Sequence, residues 1–178
     1  MKPQACCFCG SSPRMIHNEY NEHHPDCLRL KLLLAAEIEM MTKSGVTTFL
    51  TGMVQGPDMW CAELVLDLKT RSANKDILLI AYLPYEEQAT RWSMEERERY
   101  FSVLSKTDDV ITLQTRYSPD CMYKHKRRLI DASSHLIAVH DGGKGSSQYM
   151  IDYALQKGLY ILSINPETLE KQHLFGFK

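Results

Sequence analysis

The segment Thr47-Thr48-Phe49-Leu50-Thr51-Gly52-Met53-Val54-Gln55-Gly56-Pro57-Asp58-Met59-Trp60-Cys61-Ala62-Glu63 is a β-branched apolar run that breaks into glycines and then into a helix start. Pro57 suits the first helical position and Asp58 suits the first turn, where a negative charge meets the positive end of the helix dipole. Strand, glycine loop and helix in that order are the unit of an open α/β sheet. Ligands of such sheets settle outside the carboxyl ends of the strands, where unpaired helix N–H groups favour an anion. The segment therefore nominates a phosphate or nucleotide site.

Five further β-branched or apolar runs fall at Ala5 to Cys9, Ile77 to Leu83, Asp109 to Leu113, Leu136 to His140 and Tyr160 to Ile164, and the run quoted above begins at Val46. Helical patterns alternate with them. Leu28 to Lys43 places Leu28, Leu32, Ala35, Ala36 and Ile38 on one side, with Asp26 as N-cap and Gly45 as the stop. Met94 to Ser105, Cys121 to Ser133 and Ser147 to Lys157 follow, with a weaker helix after Pro166. The alternation predicts an α/β fold: a single Rossmann-like domain over residues 1–178, with a mostly parallel sheet flanked by helices on both faces.

At 178 residues, with 44% apolar and 24% charged, the chain has the length to bury one sizeable core. A net charge of −1 gives no global basic field, so nucleic acid is a disfavoured partner. No stretch of about eighteen apolar residues occurs, which disfavours a membrane span, and Met1 to Phe8 holds no apolar core of a signal peptide. A soluble, cytoplasmic protein is the expectation. Six cysteines, three of them in Cys6-Cys7-Phe8-Cys9, read as buried thiols, because adjacent residues of a strand point to opposite faces. His23 and Cys27 have helical ligand spacing, but no second donor pair stands at a zinc-site spacing, so no metal is expected.

Two other strand ends share the chemistry of the first. Gly10-Ser11-Ser12-Pro13-Arg14 offers a small-residue turn, two hydroxyls and a guanidinium. Asp141-Gly142-Gly143-Lys144-Gly145-Ser146-Ser147 offers three glycines and two hydroxyls opening a helix, the makings of an anion nest. Neither G-x-G-x-x-G nor G-x-x-x-x-G-K-[ST] occurs, which disfavours a standard hydride-transfer enzyme and a P-loop NTPase.

The run from Thr51 to Lys69, the block from Ala81 to Val110, the block from Ser118 to Gly158 and the opening Cys6 to Pro13 together resemble the YpsA-like proteins of the SLOG superfamily, in order and over nearly the whole chain. The resemblance implies a Rossmann-like fold distantly related to the DNA-processing protein A fold and to LOG phosphoribohydrolases, and a nucleotide or nucleotide-derived ligand. Matching positions include Gly10, Gly52, Gly56, Asp58, Trp60, Gln88, Trp92, Tyr100, Tyr117, Asp131, Asp141 and Gly145. Three departures bear on ligand identity. Cys9-Gly10-Ser11-Ser12-Pro13 stands for Thr-Gly-His-Arg-Pro, Gly145-Ser146-Ser147 for Gly-Gly-Thr, and His125-Lys126 for Arg-Asn.

The expected ligand residues are thus Gly10, Ser11, Ser12, Arg14, Gly52, Gly56, Asp58, Trp92, Tyr117, Gly142, Gly143, Gly145, Ser146 and Ser147. Glycines and helix starts would hold phosphate, Asp58 a ribose hydroxyl, and Trp92 or Tyr117 the base. The expected activity is binding, for sensing or sequestration, with a small nucleotide derivative as partner and a homo-oligomer as an option. The alternative is hydrolysis of a nucleoside monophosphate at its N-glycosidic bond, with Arg127 on phosphate and Asp152 as the acid. Among Lys126, Arg127 and Arg128, which diverge by about 100° each on a helix, Arg127 is the one taken to face the crevice. Single-stranded DNA binding through Lys124 to Arg128 is a third and weaker reading.

Overall fold

The computed structural model describes residues 4–10, 21–71 and 76–176. Seven strands and five helices alternate among them: β1 (Ala5–Gly10), α1 (Pro25–Lys43), β2 (Thr48–Thr51), α2 (Pro57–Arg71), β3 (Leu78–Leu83), α3 (Met94–Leu104), β4 (Asp109–Thr112), α4 (Cys121–Asp131), β5 (His135–Val139), α5 (Ser146–Gln156), β6 (Tyr160–Ile164) and β7 (Lys171–Phe175). They form one sheet in the order β4-β3-β2-β1-β5-β6-β7, parallel except for β7. β1 is the central strand. Its residues from Ala5 to Cys9 are all buried because β2 and β5 flank it and helices cover both sides.

Side chains alternate across that strand as its pleat requires. Cys6 and Phe8 join a core with α1, α2 and α3, and Phe8 stacks on Phe49 of β2 at 5.9 Å. Cys7 and Cys9 join the opposite core with Leu129 and Ile130 of α4 and Met150, Ile151 and Ala154 of α5. All six cysteines are buried and free. The sheet is therefore doubly wound, a Rossmann-like arrangement. The chain leaves β1 toward β2 on one side and leaves β5 toward β6 on the other, so the carboxyl ends of β1 and β5 bound a topological switch point.

Two expectations need correction. The inward stripe of α1 is Cys27, Leu30, Leu34 and Ile38, whereas Leu28, Leu32 and Ala36 face outward. The helix is apolar on both sides, so periodicity alone gives no unique phase. Its N-cap is His24, whose Nδ1 accepts from the Asp26 backbone N–H, and Asp26 lies in the first turn. The helix expected after Pro166 is a single turn. The Asn165 side chain accepts from the Glu167 and Thr168 N–H groups, Leu169 enters the left-handed region at φ +59°, and the chain returns as β7 with Leu174 turned inward.

Candidate functional site

β2 ends on buried Thr51, and the loop that follows is bent by Met53 at φ +55° and Gly56 at φ +92°. A positive φ is unusual for methionine and marks a backbone held by its surroundings. The surroundings are polar and buried. Asp58 Oδ2 accepts from Val54 N–H at 2.9 Å and from Thr51 Oγ1 at 3.2 Å, and Gln88 Nε2 donates to the Gly52 and Met53 carbonyls at 3.1 and 3.0 Å. Asp58 thus ties down its own loop. Met59 N–H is likewise taken by the Val54 carbonyl, which closes the N-terminus of α2 on itself.

Across from this loop stands His125 of α4, 3% exposed, with Nε2 2.7 Å from the Tyr82 carbonyl. A Cβ on Gly52 would lie 2.6 Å from His125 Cε1 and 3.4 Å from Asp58 Oδ2, so glycine is what lets the two polar groups close on the strand end. Burial pushes the Asp58 carboxyl up to about 6, partly offset by its hydrogen bonds from Val54, Gly52 and Thr51. Burial also pushes the His125 imidazole down to about 4, against the raising effect of the Tyr82 carbonyl. Among the described residues, Asp58 Oδ1, Gln88 Oε1 and His125 Nδ1 are buried without a hydrogen-bond partner. Three such atoms around one strand end make it a candidate site.

The N-terminus of α5 is open, as is that of α4. Gly145 precedes α5 at φ +153°, no side chain among the described residues caps it, and the first N–H to enter the helix ladder is that of Tyr149, bonded to the Gly145 carbonyl. The N–H groups of Ser146, Ser147 and Gln148 come before that ladder begins. Gly142 takes φ +90° and Gly143 N–H donates to Asp141 Oδ1, so the loop folds on itself ahead of the helix. Ser147 is buried against the Cys9 thiol at the end of β1, and the Lys126 ammonium acts on the same thiol.

Lys126 is half-buried, which holds its ammonium below the usual lysine value. Its Nζ lies 5.6 Å from the Tyr123 ring centre, and that ring stands edge-on to Tyr149 in the first turn of α5 at 5.2 Å. Among the described residues no carboxylate pairs with it. Arg127 points elsewhere: its Nε donates to the Tyr149 hydroxyl at 2.8 Å and its guanidinium covers the Tyr153 ring. Lys126 thus acts on the Cys9 thiol at the end of β1, while Arg127 is held by Tyr149 and Tyr153 of α5. The spacing Cys121, His125, Leu129 already put His125 on the inward stripe of α4, but the run of four cations from Lys124, broken only by His125, hid which neighbour followed it.

Gly10 ends β1, and a Cβ there would meet Pro57 Cβ and Cγ at 2.4 Å, so its smallness serves the contact between β1 and α2. Gly56 and Trp92 share a cavity of about 580 Å³ with Met59, Leu28, Lys31 and Arg99. Trp92 packs edge-on against Tyr100 at its wall. An ion-pair network, Lys31 to Glu22 and Arg99 to Glu22 and Glu63, rims the cavity. Tyr117 lies beyond β4 at the sheet edge, 63% exposed and edge-on to Tyr85, far along the sheet from β1. Asp152 is exposed and accepts from Gln148, which in turn meets His140 Nε2. Arg127 and Asp152 share no hydrogen-bond partner among the described residues. Ser11, Ser12 and Arg14 lie outside the described residues.

Comparison with known proteins adds three findings. The family model YpsA, described as the YspA SLOG family, matches residues 12–168. A UPF0398 protein of Bacillus thuringiensis (strain Al Hakam) is 28% identical over 142 residues, covering 78% of this chain and 76% of its own, and a UPF0398 protein of Bacillus cereus (strain AH187) matches to the same extent. The solved structure of DNA processing protein A from Streptococcus pneumoniae superposes with a TM-score of 0.60 at 10% identity over 95% of this chain, which spans about half (52%) of that chain. That likeness concerns the fold. No helix among the described residues is long and apolar enough to cross a membrane.

Proposed function

On the premise that the chain belongs to the YpsA family of SLOG proteins, we propose that it binds an anionic nucleotide or nucleotide-derived molecule at the carboxyl ends of β1, β2 and β5. The observation that carries this reading is the pairing of the α5 N-terminus with the half-buried Lys126 at the switch point of the sheet, neither of them met by a capping side chain or a carboxylate among the described residues. Backbone N–H groups and an ammonium together suit a phosphate. The rest of the ligand extends past the Gly10 and Pro57 contact toward the cavity that holds Gly56 and Trp92, whose volume is in the range of small-molecule sites. Asp58, with one carboxylate oxygen unpartnered, serves a hydroxyl of the ligand.

A thermal-shift panel of nucleotides, dinucleotides, cyclic nucleotides and ADP-ribose derivatives, followed by calorimetric titration, tests the reading. At least one phosphorylated compound is expected to raise the melting temperature, and Lys126→Ala is expected to weaken that compound by about tenfold to a hundredfold. The matching unphosphorylated nucleoside should be indifferent to the substitution. A panel without any shift removes the reading. The hydrolase alternative predicts free base after incubation with nucleoside monophosphates; Arg127 is engaged by the Tyr149 hydroxyl and Asp152 by the Gln148 amide.

A further inference from the structure

Helix α1 is apolar on its outer side as well as its inner one. Where a surface helix ordinarily carries charge, it presents Leu32, Ala36 and Met40, with Leu32 71% and Met40 56% exposed, and Leu28, 47% exposed at the rim of the cavity of Gly56 and Trp92, continues the line. Spaced by four, they form one continuous i, i+4 ridge. Such ridges mesh with grooves of a partner helix in the commonest class of helix packing. An uncovered apolar ridge of this kind marks an interaction surface.

We infer that this face joins two copies of the chain across a two-fold axis, α1 packed antiparallel on α1. The charges beside the ridge select that occupant. Arg29 flanks its first half and Glu39 its second. An antiparallel copy centred between Leu32 and Ala36 sets Arg29 of each chain toward Glu39 of the other, Leu28 toward Met40, and Leu32 toward the small Ala36. A parallel copy sets Arg29 against Arg29. In the single chain Arg29 pairs with Asp26 at 3.1 Å and Glu39 with Lys43 at 2.8 Å, exposed neighbours on the same helix, and Arg71 of α2 acts more weakly on Glu39. Exposed pairs of that type are worth little, so both charges are free to pair across the axis. The complementarity is internal to the helix, as an isologous contact requires.

Sedimentation equilibrium of the full chain tests the inference, with the melting temperature as a control on folding. The wild type is expected to be a dimer at micromolar concentration. Leu32→Glu should weaken it by about a hundredfold, because the two-fold axis buries two unpaired carboxylates, and should leave the melting temperature unchanged when both proteins are diluted to the monomer, because Leu32 is exposed in the single chain. Arg29→Glu or Glu39→Arg alone should weaken it by about tenfold, and the double exchange should restore it. A wild type that stays monomeric at about 100 µM, or a dimer indifferent to Leu32→Glu and to charge reversal, overturns the inference.

Discussion

Gly10→Ala will destabilise the chain by about 3 kcal/mol in urea unfolding, at the upper end of what one added methyl group costs in a filled interior. The reason is geometric. The new Cβ would stand 2.4 Å from both Cβ and Cγ of Pro57, and the pyrrolidine ring has no rotamer that moves those atoms away. Relief requires a shift of the whole N-terminus of α2, against the packing of Met59, Trp60 and Ala62, each at most 2% exposed. The same shift would carry Asp58 away from Thr51 and Val54, so ligand affinity should fall together with stability. Gly142→Ala is the contrasting control. Its Cβ meets nothing within 4 Å, and only the φ of +90° opposes it, which is worth about 1 kcal/mol. Equal losses at the two positions would show that the Gly10 contact is loose.

That contrast also indicates how far the sequence could be read. Strand ends and helix starts announce themselves through Gly, Pro and β-branched residues, and the order of elements up to β6 follows from them. The role of each glycine does not. Gly10, Gly52 and Gly56 look alike in the sequence, yet one makes room for Pro57, one admits His125 beside Asp58, and one bends the loop. The choice of Lys126 over Arg127 depends on a rotation of α4 of about 100°, which the Tyr149 hydroxyl resolves by engaging Arg127. The phase of α1 was undecidable because both faces are apolar. β7 is not legible in the sequence because a short polar segment, Lys171 to Phe175, gains its structure from pairing with β6 rather than from its own pattern.

The buried pair beside the crevice yields the second large effect, as a stability profile that is flat for a reason. Between pH 3.8 and about 6 the folded chain holds a proton on Asp58 that the unfolded chain has released, so the carboxyl adds stability at low pH that is lost as pH rises through 6. His125 has the opposite sign. Between pH 6.5 and about 4 the unfolded chain takes up a proton that the folded chain refuses, so stability is full above 6.5 and is lost as pH falls toward 4. Each contribution is about 3 kcal/mol, and from pH 4 to 6 they oppose each other. Asp58→Asn should therefore expose the histidine slope, losing about 3 kcal/mol more than the wild type as pH drops across that window, while standing about 1–3 kcal/mol above it at pH 7. His125→Gln, which keeps a donor for the Tyr82 carbonyl, should expose the carboxyl slope and gain stability toward pH 4. Urea titrations of the three proteins at pH 4, 5, 6 and 7 measure both slopes. Parallel profiles would mean that neither group is held in the buried state described here. Opposed slopes would mean that the chain keeps an ionised carboxylate at neutral pH against its own stability, next to the helix end and lysine that suit an anion, and a ligand hydroxyl bonded to Asp58 Oδ1 would recover part of that cost.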